Sequence, residues 1–262
     1  ELAQAIVERH NPLTARVIVN RIWLHHFGAG LVRTPSDFGL RSEPPSHPEL
    51  LDYLATYFID HGWSIKKLHR LILLSAVYQQ KSDDRPECQR TDPENTLLWK
   101  MNRQRLDFEA TRDTLLAVSG RFDRTIGGPS IPGLTAATAS RRTLYGFLDR
   151  LNVPGLYRTF DFPMPDSTSP QRATTTVAPQ ALFLMNHPFV IDCVRRLLQR
   201  PEIAAEREVA RRVNRLYHFL YGRAPTADES TLARSFLGDG TAVTWERYTQ
   251  ALLLANEFVF VD

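Results

Sequence analysis

The stretch from residue 121 to residue 178 most limits how this chain can fold. It holds Gly127-Gly128-Pro129, Pro132-Gly133 and Pro154-Gly155, then Pro163, Pro165 and Pro170, with Pro179 just beyond. Proline removes a backbone donor and fixes φ, and Gly-Pro pairs punctuate turns, so neither a long helix nor an inner strand can run through it. Only residues 142–148, rich in aromatic and apolar side chains, read as strand-like. The segment is expected to be irregular, with at most one short β-hairpin. A loop this long inside a compact domain is usually functional or mobile.

The flanks are different. Asn11-Pro12 opens a helix in which Leu13, Val17, Leu24 and Phe27 recur at helical spacing and Gly28 provides the stop. Gly30 to Pro45 reads as a loop. Ser46 with Glu49 spells a capping box, followed by the stripe Leu50, Leu51, Leu54, Tyr57 and Phe58. Ser64 caps a partner helix reached through a very short turn, so the two should form a helical hairpin. Residues 81–96 read as a polar surface connection. A helix from about Asp107 to Ser119 carries Asp107, Glu109, Arg112 and Asp113 on adjacent turns. Beyond the irregular stretch, helices are expected from about Pro179, over 189–199, over 202–221, from the Thr226/Glu229 capping box to about Leu237, and from Thr241 or Thr244 to near Asn256.

The expected fold class is mainly α: an irregular multi-helix bundle of about eight helices with a long loop-rich middle. Residues 1–262 are read as one domain, with N-terminal helices at 1–120, the excursion at 121–178 and C-terminal helices at 179–262. The first residue is Glu1 and not Met, so a fragment of a longer protein is expected.

Composition removes several function classes. Hydrophobic residues make up 43% and charged residues 23% of the 262, which excludes a wholly disordered chain. No apolar run reaches the ~18 residues of a membrane span. The net charge is only +3, without a basic run or aromatic–basic interleaving, so no nucleic-acid partner is expected. The cations are 28 arginines and four lysines. Either compositional bias with surface ion pairs or binding of anions would give that ratio. Cys88 and Cys193 form no CxxC motif, and their spacing decides neither a bridge nor a compartment.

Motifs of known chemistry are sparse. His25 and His26 are neighbours on a helix and so point about 100° apart, a poor geometry for one metal; no HExxH is present, and no metal site is expected. Asp37-Phe38-Gly39 spells the kinase magnesium motif but lacks a glycine-rich nucleotide loop and an HRD loop. No nucleophile elbow or phosphate loop is visible. The stretch from Asp161-Phe162-Pro163 to Arg172-Ala173-Thr174-Thr175-Thr176 joins an acid, an arginine and several hydroxyls on proline-stiffened backbone. It suits a recognition loop, and equally a structural tie in which Arg172 pairs with Asp161.

Several motifs together resemble a known family. They are Asn11-Pro12-Leu13-Thr14-Ala15-Arg16-Val17, Val19-Asn20-Arg21-Ile22-Trp23, His25-His26-Phe27-Gly28, Thr34-Pro35-Ser36-Asp37-Phe38-Gly39 and Pro44-Pro45-Ser46-His47-Pro48-Glu49. Gly62-Trp63-Ser64, Leu68-His69-Arg70, Asp161-Phe162-Pro163, Thr175-Thr176-Val177-Ala178-Pro179-Gln180-Ala181-Leu182, Leu184-Met185-Asn186 and Asn256-Glu257-Phe258 continue the likeness. Their combination resembles the planctomycete-type domain of unknown function 1553. The resemblance implies a module at the C-terminal end of a large exported bacterial protein, with a cytochrome-c-like domain upstream. It implies an extracytoplasmic location, no cofactor in this chain itself, and upstream, haem-bearing domains of the same polypeptide as partners. It brings no catalytic residues.

The expectation is thus a non-catalytic interaction module that docks on those upstream domains or on a cell-surface protein or polysaccharide. The alternative is a ligand-binding or hydrolytic domain acting on a polysaccharide or anionic glycan, with Arg21, His25, His26, Asp37, Asp161 and Arg172 lining one cleft. Arginines would pair the anionic groups and two carboxylates would serve glycoside cleavage.

Overall fold

The structure, a computed structural model, describes residues 1–261 and is mainly helical. The chain forms two compact units, residues 1–104 and residues 105–261, each with its own apolar core.

The first unit contains α1 (Leu2–Val7), α2 (Thr14–Phe27), α3 (Pro48–Asp60), α4 (Ile65–Leu73) and α5 (Pro86–Thr91). Val19, Trp23 and Phe27 of α2 pack with Leu51, Leu54 and Phe58 of α3 and with Leu68 and Ile72 of α4. These are the i, i+3/i+4 stripes of the sequence. Asn11 accepts from the N–H groups of Leu13 and Thr14 through Oδ1 and so caps α2 from outside its first turn. Gly28 ends the helix in the left-handed conformation with φ of 76°. Asn20 is wholly buried: its amide donates to the Val32 carbonyl at 3.1 Å and its Oδ1 accepts from Val32 N–H at 2.9 Å. Gly30 lies so close to this clamp that a Cβ would come within 2.5 Å of the Val32 carbonyl oxygen.

The second unit contains α6 (Phe108–Val118), α7 (Gly155–Thr159), α8 (Ala178–Asn186), α9 (Pro188–Gln199), α10 (Pro201–Ala204), α11 (Val209–Tyr221), α12 (Ala227–Leu237), α13 (Ala242–Leu254) and α14 (Asn256–Val259). Helix α9 is central, packing against α6, α8, α10 and α13. Its Val190, Cys193, Val194 and Leu197 are fully or almost fully buried. Two strands of two residues each are present, β1 (Gln104–Arg105), at the boundary of the two units in the chain, and β2 (Phe260–Val261).

Fourteen helices are found among the described residues where about eight were expected. The surplus is largely short helices of four to six residues, namely α1, α5, α7, α10 and α14. Four local expectations are corrected. Ser46 does not cap α3: its N–H is held by the Leu31 carbonyl and its hydroxyl by His47 Nδ1, which moves the cap position to His47 and places Glu49 one residue too early for a capping box. The connection at 81–96 contains α5. The helix expected over 202–221 is broken into α10 and α11, because at ~100° per residue an unbroken helix would hold Ile203 and Leu216 about 140° apart, and both are fully buried. Residues 142–148 form no strand; a 3-10 turn at Thr143–Tyr145 stands there.

That turn shows how the excursion is fastened. Asp113 of α6 accepts from Thr143 N–H at 2.8 Å and from the Thr143 hydroxyl at 2.6 Å. Ile131 exchanges backbone hydrogen bonds with Tyr145 and Phe147, an isolated bridge and not a hairpin. Arg112, 1% exposed, lies beneath. It donates through Nε to the Leu134 carbonyl (2.7 Å), through Nη2 to that of Ala139 (2.8 Å), and through Nη1 to that of Arg141 (2.9 Å) and to Thr143 Oγ1 (3.0 Å). Burial pulls its pKa down and Asp113 opposes this; a guanidinium stays charged at neutral pH regardless.

Replacing Arg112 by Met leaves three carbonyls without their donor. At ~1–3 kcal/mol for each unsatisfied buried group, the expected loss is about 3 kcal/mol or more. A lower midpoint in equilibrium urea unfolding would register it. Arg112→Lys keeps the charge but not the fork, so it should recover less than half of the loss.

Candidate functional site

The loop carrying Asp161 and Arg172 is densely tied by polar contacts. Asp161 follows α7 with φ of 57°, a left-handed conformation that Asp and Asn tolerate better than most residues. This turn aims its carboxylate across the loop, where Oδ2 accepts from Thr175 N–H at 2.7 Å and Oδ1 from the Thr175 hydroxyl at 2.8 Å. Arg172 comes back along the other side. Its Nε donates to the Asp161 carbonyl (3.0 Å) and its Nη2 to the Phe160 carbonyl (3.2 Å). Its Nη1 pairs with Glu109 at 2.9 Å and lies 3.5 Å from Asp107. The guanidinium sits over the Phe162 ring. Arg172 and Asp161 are thus tied through a backbone carbonyl and not as an ion pair, and the acidic partner of Arg172 is Glu109.

Arg105 completes the ring. It donates to the Thr175 carbonyl at 3.0 Å and to Oε1 of Gln180, whose amide in turn donates to the Thr159 carbonyl at 2.8 Å. Gln180 is 2% exposed. Between these groups lies a cavity of about 30 Å³, lined by Arg105, Asp107, Asp161, Arg172, Thr174, Thr175 and Gln180 among others. That holds a water or two and is far too small for a sugar ring.

In the first unit, Arg21 and His25 are one turn apart on the exposed face of α2. Asp37 is also exposed, and its Oδ1 accepts from Gly39 N–H at 2.9 Å, an Asx turn. The Asp-Phe-Gly sequence is therefore a turn. His26 points to α4, where its Nε2 lies 2.6 Å from His69 Nδ1 with the rings edge-on. Tyr78 meets the His26 ring edge-on as well. Burial lowers the His26 pKa first, and the neighbouring imidazoles of His69 and His25 lower it further.

The structure thus brings Asp161 and Arg172 into one network and joins His26 to a partner outside the expected set. Arg105, Glu109, Gln180 and His69 are the additions. Gln180 is the polar residue beside Phe183 and Leu184 on the buried face of α8, a face the sequence pattern does not mark out. His69 follows the buried Leu68 and carries no signal of its own. Cys88 and Cys193 are both free thiols, and burial pushes that of Cys193 up. Among the described residues there is no group of three metal-binding side chains, and no helix is long and apolar enough to cross a membrane.

Closed networks of this kind make a sharp prediction for Asp161. Asp161→Ala removes both acceptors of Thr175 and strains the left-handed backbone, at an expected cost of about 2 kcal/mol. Asp161→Asn keeps one acceptor and tolerates the backbone, so it should cost less than half as much. Thermal unfolding of the two variants checks the order.

No curated protein and no solved structure matches the chain. The sequence does match the family described as PSD1, protein of unknown function (DUF1553), over residues 1–237, a match that ends with the last residue of α12. The chain belongs to that family.

Proposed function

We propose that this chain is a non-catalytic interaction module of an exported, cytochrome-c-associated bacterial protein, and that it docks through the outer face of α8. The observation that carries this reading is the distribution of polar and apolar groups around that helix. On its inner side Gln180, Phe183 and Leu184 are buried, and the charged groups nearby are engaged with backbone and with one another. On its outer side Ala178, Ala181, Leu182 and Met185 recur at i, i+3, i+4 and i+7, with Val177 preceding them. Leu182 is 53% and Met185 50% exposed. An apolar helical stripe left in water is a docking feature, because covering it gains the hydrophobic term that folding has not used.

The family likeness supports the choice of partner. Modules that resemble this one sit at the end of larger exported chains, so the remaining, haem-bearing part of the same polypeptide is the natural occupant. The alternative, a site for an anionic glycan, draws support from one place only. An open trough of about 550 Å³ along α11 is lined by Arg211, Asn214, Arg215 and His218. Its arginines already pair with Glu208 and Glu206, which lowers their value to an anion.

The chain mixed with the remainder of its parent polypeptide should co-elute in size-exclusion chromatography and titrate in calorimetry. Leu182→Asp should weaken that association by about tenfold or more, roughly what burying one leucine supplies. Failure of the unaltered chain to associate overturns the reading. Salt-sensitive binding of heparin that is lost in Arg211→Ala/Arg215→Ala would favour the glycan alternative.

A further inference from the structure

We propose that His26 and His69 form a proton-operated clasp within residues 1–104, closed while the pair carries at most one excess proton and opened by the second. The argument begins with the 2.6 Å separation of His26 Nε2 and His69 Nδ1. At that distance one nitrogen donates and the other accepts. The pair has four ring nitrogens, and in the neutral state two carry hydrogen. A first proton goes to the free nitrogen that faces away from the contact. It turns one ring into an imidazolium, and the shared hydrogen bond survives. The second proton has only the shared acceptor left to occupy. Two N–H groups would then face each other across 2.6 Å with like charges, and the contact must open. The two protons belong to the pair and not to either ring alone.

The surroundings favour the closed state. His26 stands in the last turn of α2 and His69 in α4, while α3 packs against both helices. Among the described residues, the groups that meet the His26 imidazole are His69 from α4 and the Tyr78 ring from the segment after α4, and His25 of its own helix acts on it through its charge. Gln104, which donates to the His26 carbonyl, is neutral. Among the described residues, α3 gives neither imidazole a hydrogen bond or an ion pair. The charges that act on His26 are therefore both positive when protonated, and burial works in the same direction to lower its pKa. A group whose pKa is lower in the folded chain lends stability that is complete above the ordinary imidazole range. That stability is lost as pH falls towards the folded value. Acidification thus loosens the last turn of α2 from α4, while Val19, Leu68 and Ile72 stay in the core.

The test reads the local contact in the whole chain. Histidine-ring NMR from about pH 8 to about pH 5 should show His26 taking up its proton below the ordinary imidazole value of about 6.5. Across the same range, amide exchange of residues 24–27, corrected for its intrinsic pH dependence, should speed up about tenfold. His69→Gln offers an amide that can take either hydrogen-bonding role but does not titrate, and should abolish that acceleration. Equal acceleration in His69→Gln and in the unaltered chain would overturn the proposal. So would both rings titrating together near 6.5, a measurement that needs no variant to fold.

Discussion

A cation buried in the second unit holds its least regular part in place. Arg112 reaches from α6 into residues 134–143 and satisfies three backbone carbonyls and one hydroxyl there. An irregular segment cannot meet its own hydrogen-bonding needs as a helix or sheet does, so buried carbonyls must find donors elsewhere. Burying a charge costs several kcal/mol unless it is surrounded by acceptors. Each side therefore supplies what the other lacks. Asp113, the next residue, accepts from Thr143. Two consecutive side chains of one helix thus shape the loop that the proline pattern marks out.

The long helices were legible because their cause is local. The Thr226/Glu229 capping box, the Ser64 cap and the left-handed Gly28 stand where the sequence pattern puts them. Short-range geometry decides these features. The expectations fail where a distant partner competes. Ser46 looked like a cap until Leu31 took its backbone. Residues 142–148 had strand composition, but Asp113 pulls Thr143 into a 3-10 turn. Residues 202–221 had helical composition, yet burying both Ile203 and Leu216 requires a break.

The candidate site was legible in its members more than in its roles. Asp161 and Arg172 stood out as an acid and an arginine on stiff backbone, and they do share a network. The sequence could not show that Arg172 would address carbonyls and Glu109, nor that Thr175 would take both oxygens of Asp161. Those bonds depend on α6 and the loop meeting in space. On α8 the apolar residues Ala181, Leu182, Phe183, Leu184 and Met185 follow one another without a gap. The buried members are Phe183 and Leu184, with Leu182 and Met185 left outside. The helix is apolar on nearly every side, so periodicity alone could not choose its inner face.

The same logic explains the skewed cation usage. All four lysines lie before residue 105, and the second unit has nineteen arginines and no lysine. Arg141 donates to the carbonyls of Thr125, Gly127 and Pro129, and Arg121 to that of Ala137. Arg172 holds those of Phe160 and Asp161. Arg141 and Arg172 are forks spread over neighbouring turns of the excursion. A lysine ammonium is a compact point charge and cannot reach two or three divergent carbonyls at once, whereas five fixed donors on a plane can. Part of the arginine excess is thus a consequence of having to fold 58 residues with little regular structure. It is not by itself a sign of an anionic ligand. The bonds that hold the loops occupy these guanidinium groups, while Leu182 and Met185 on α8 stay exposed.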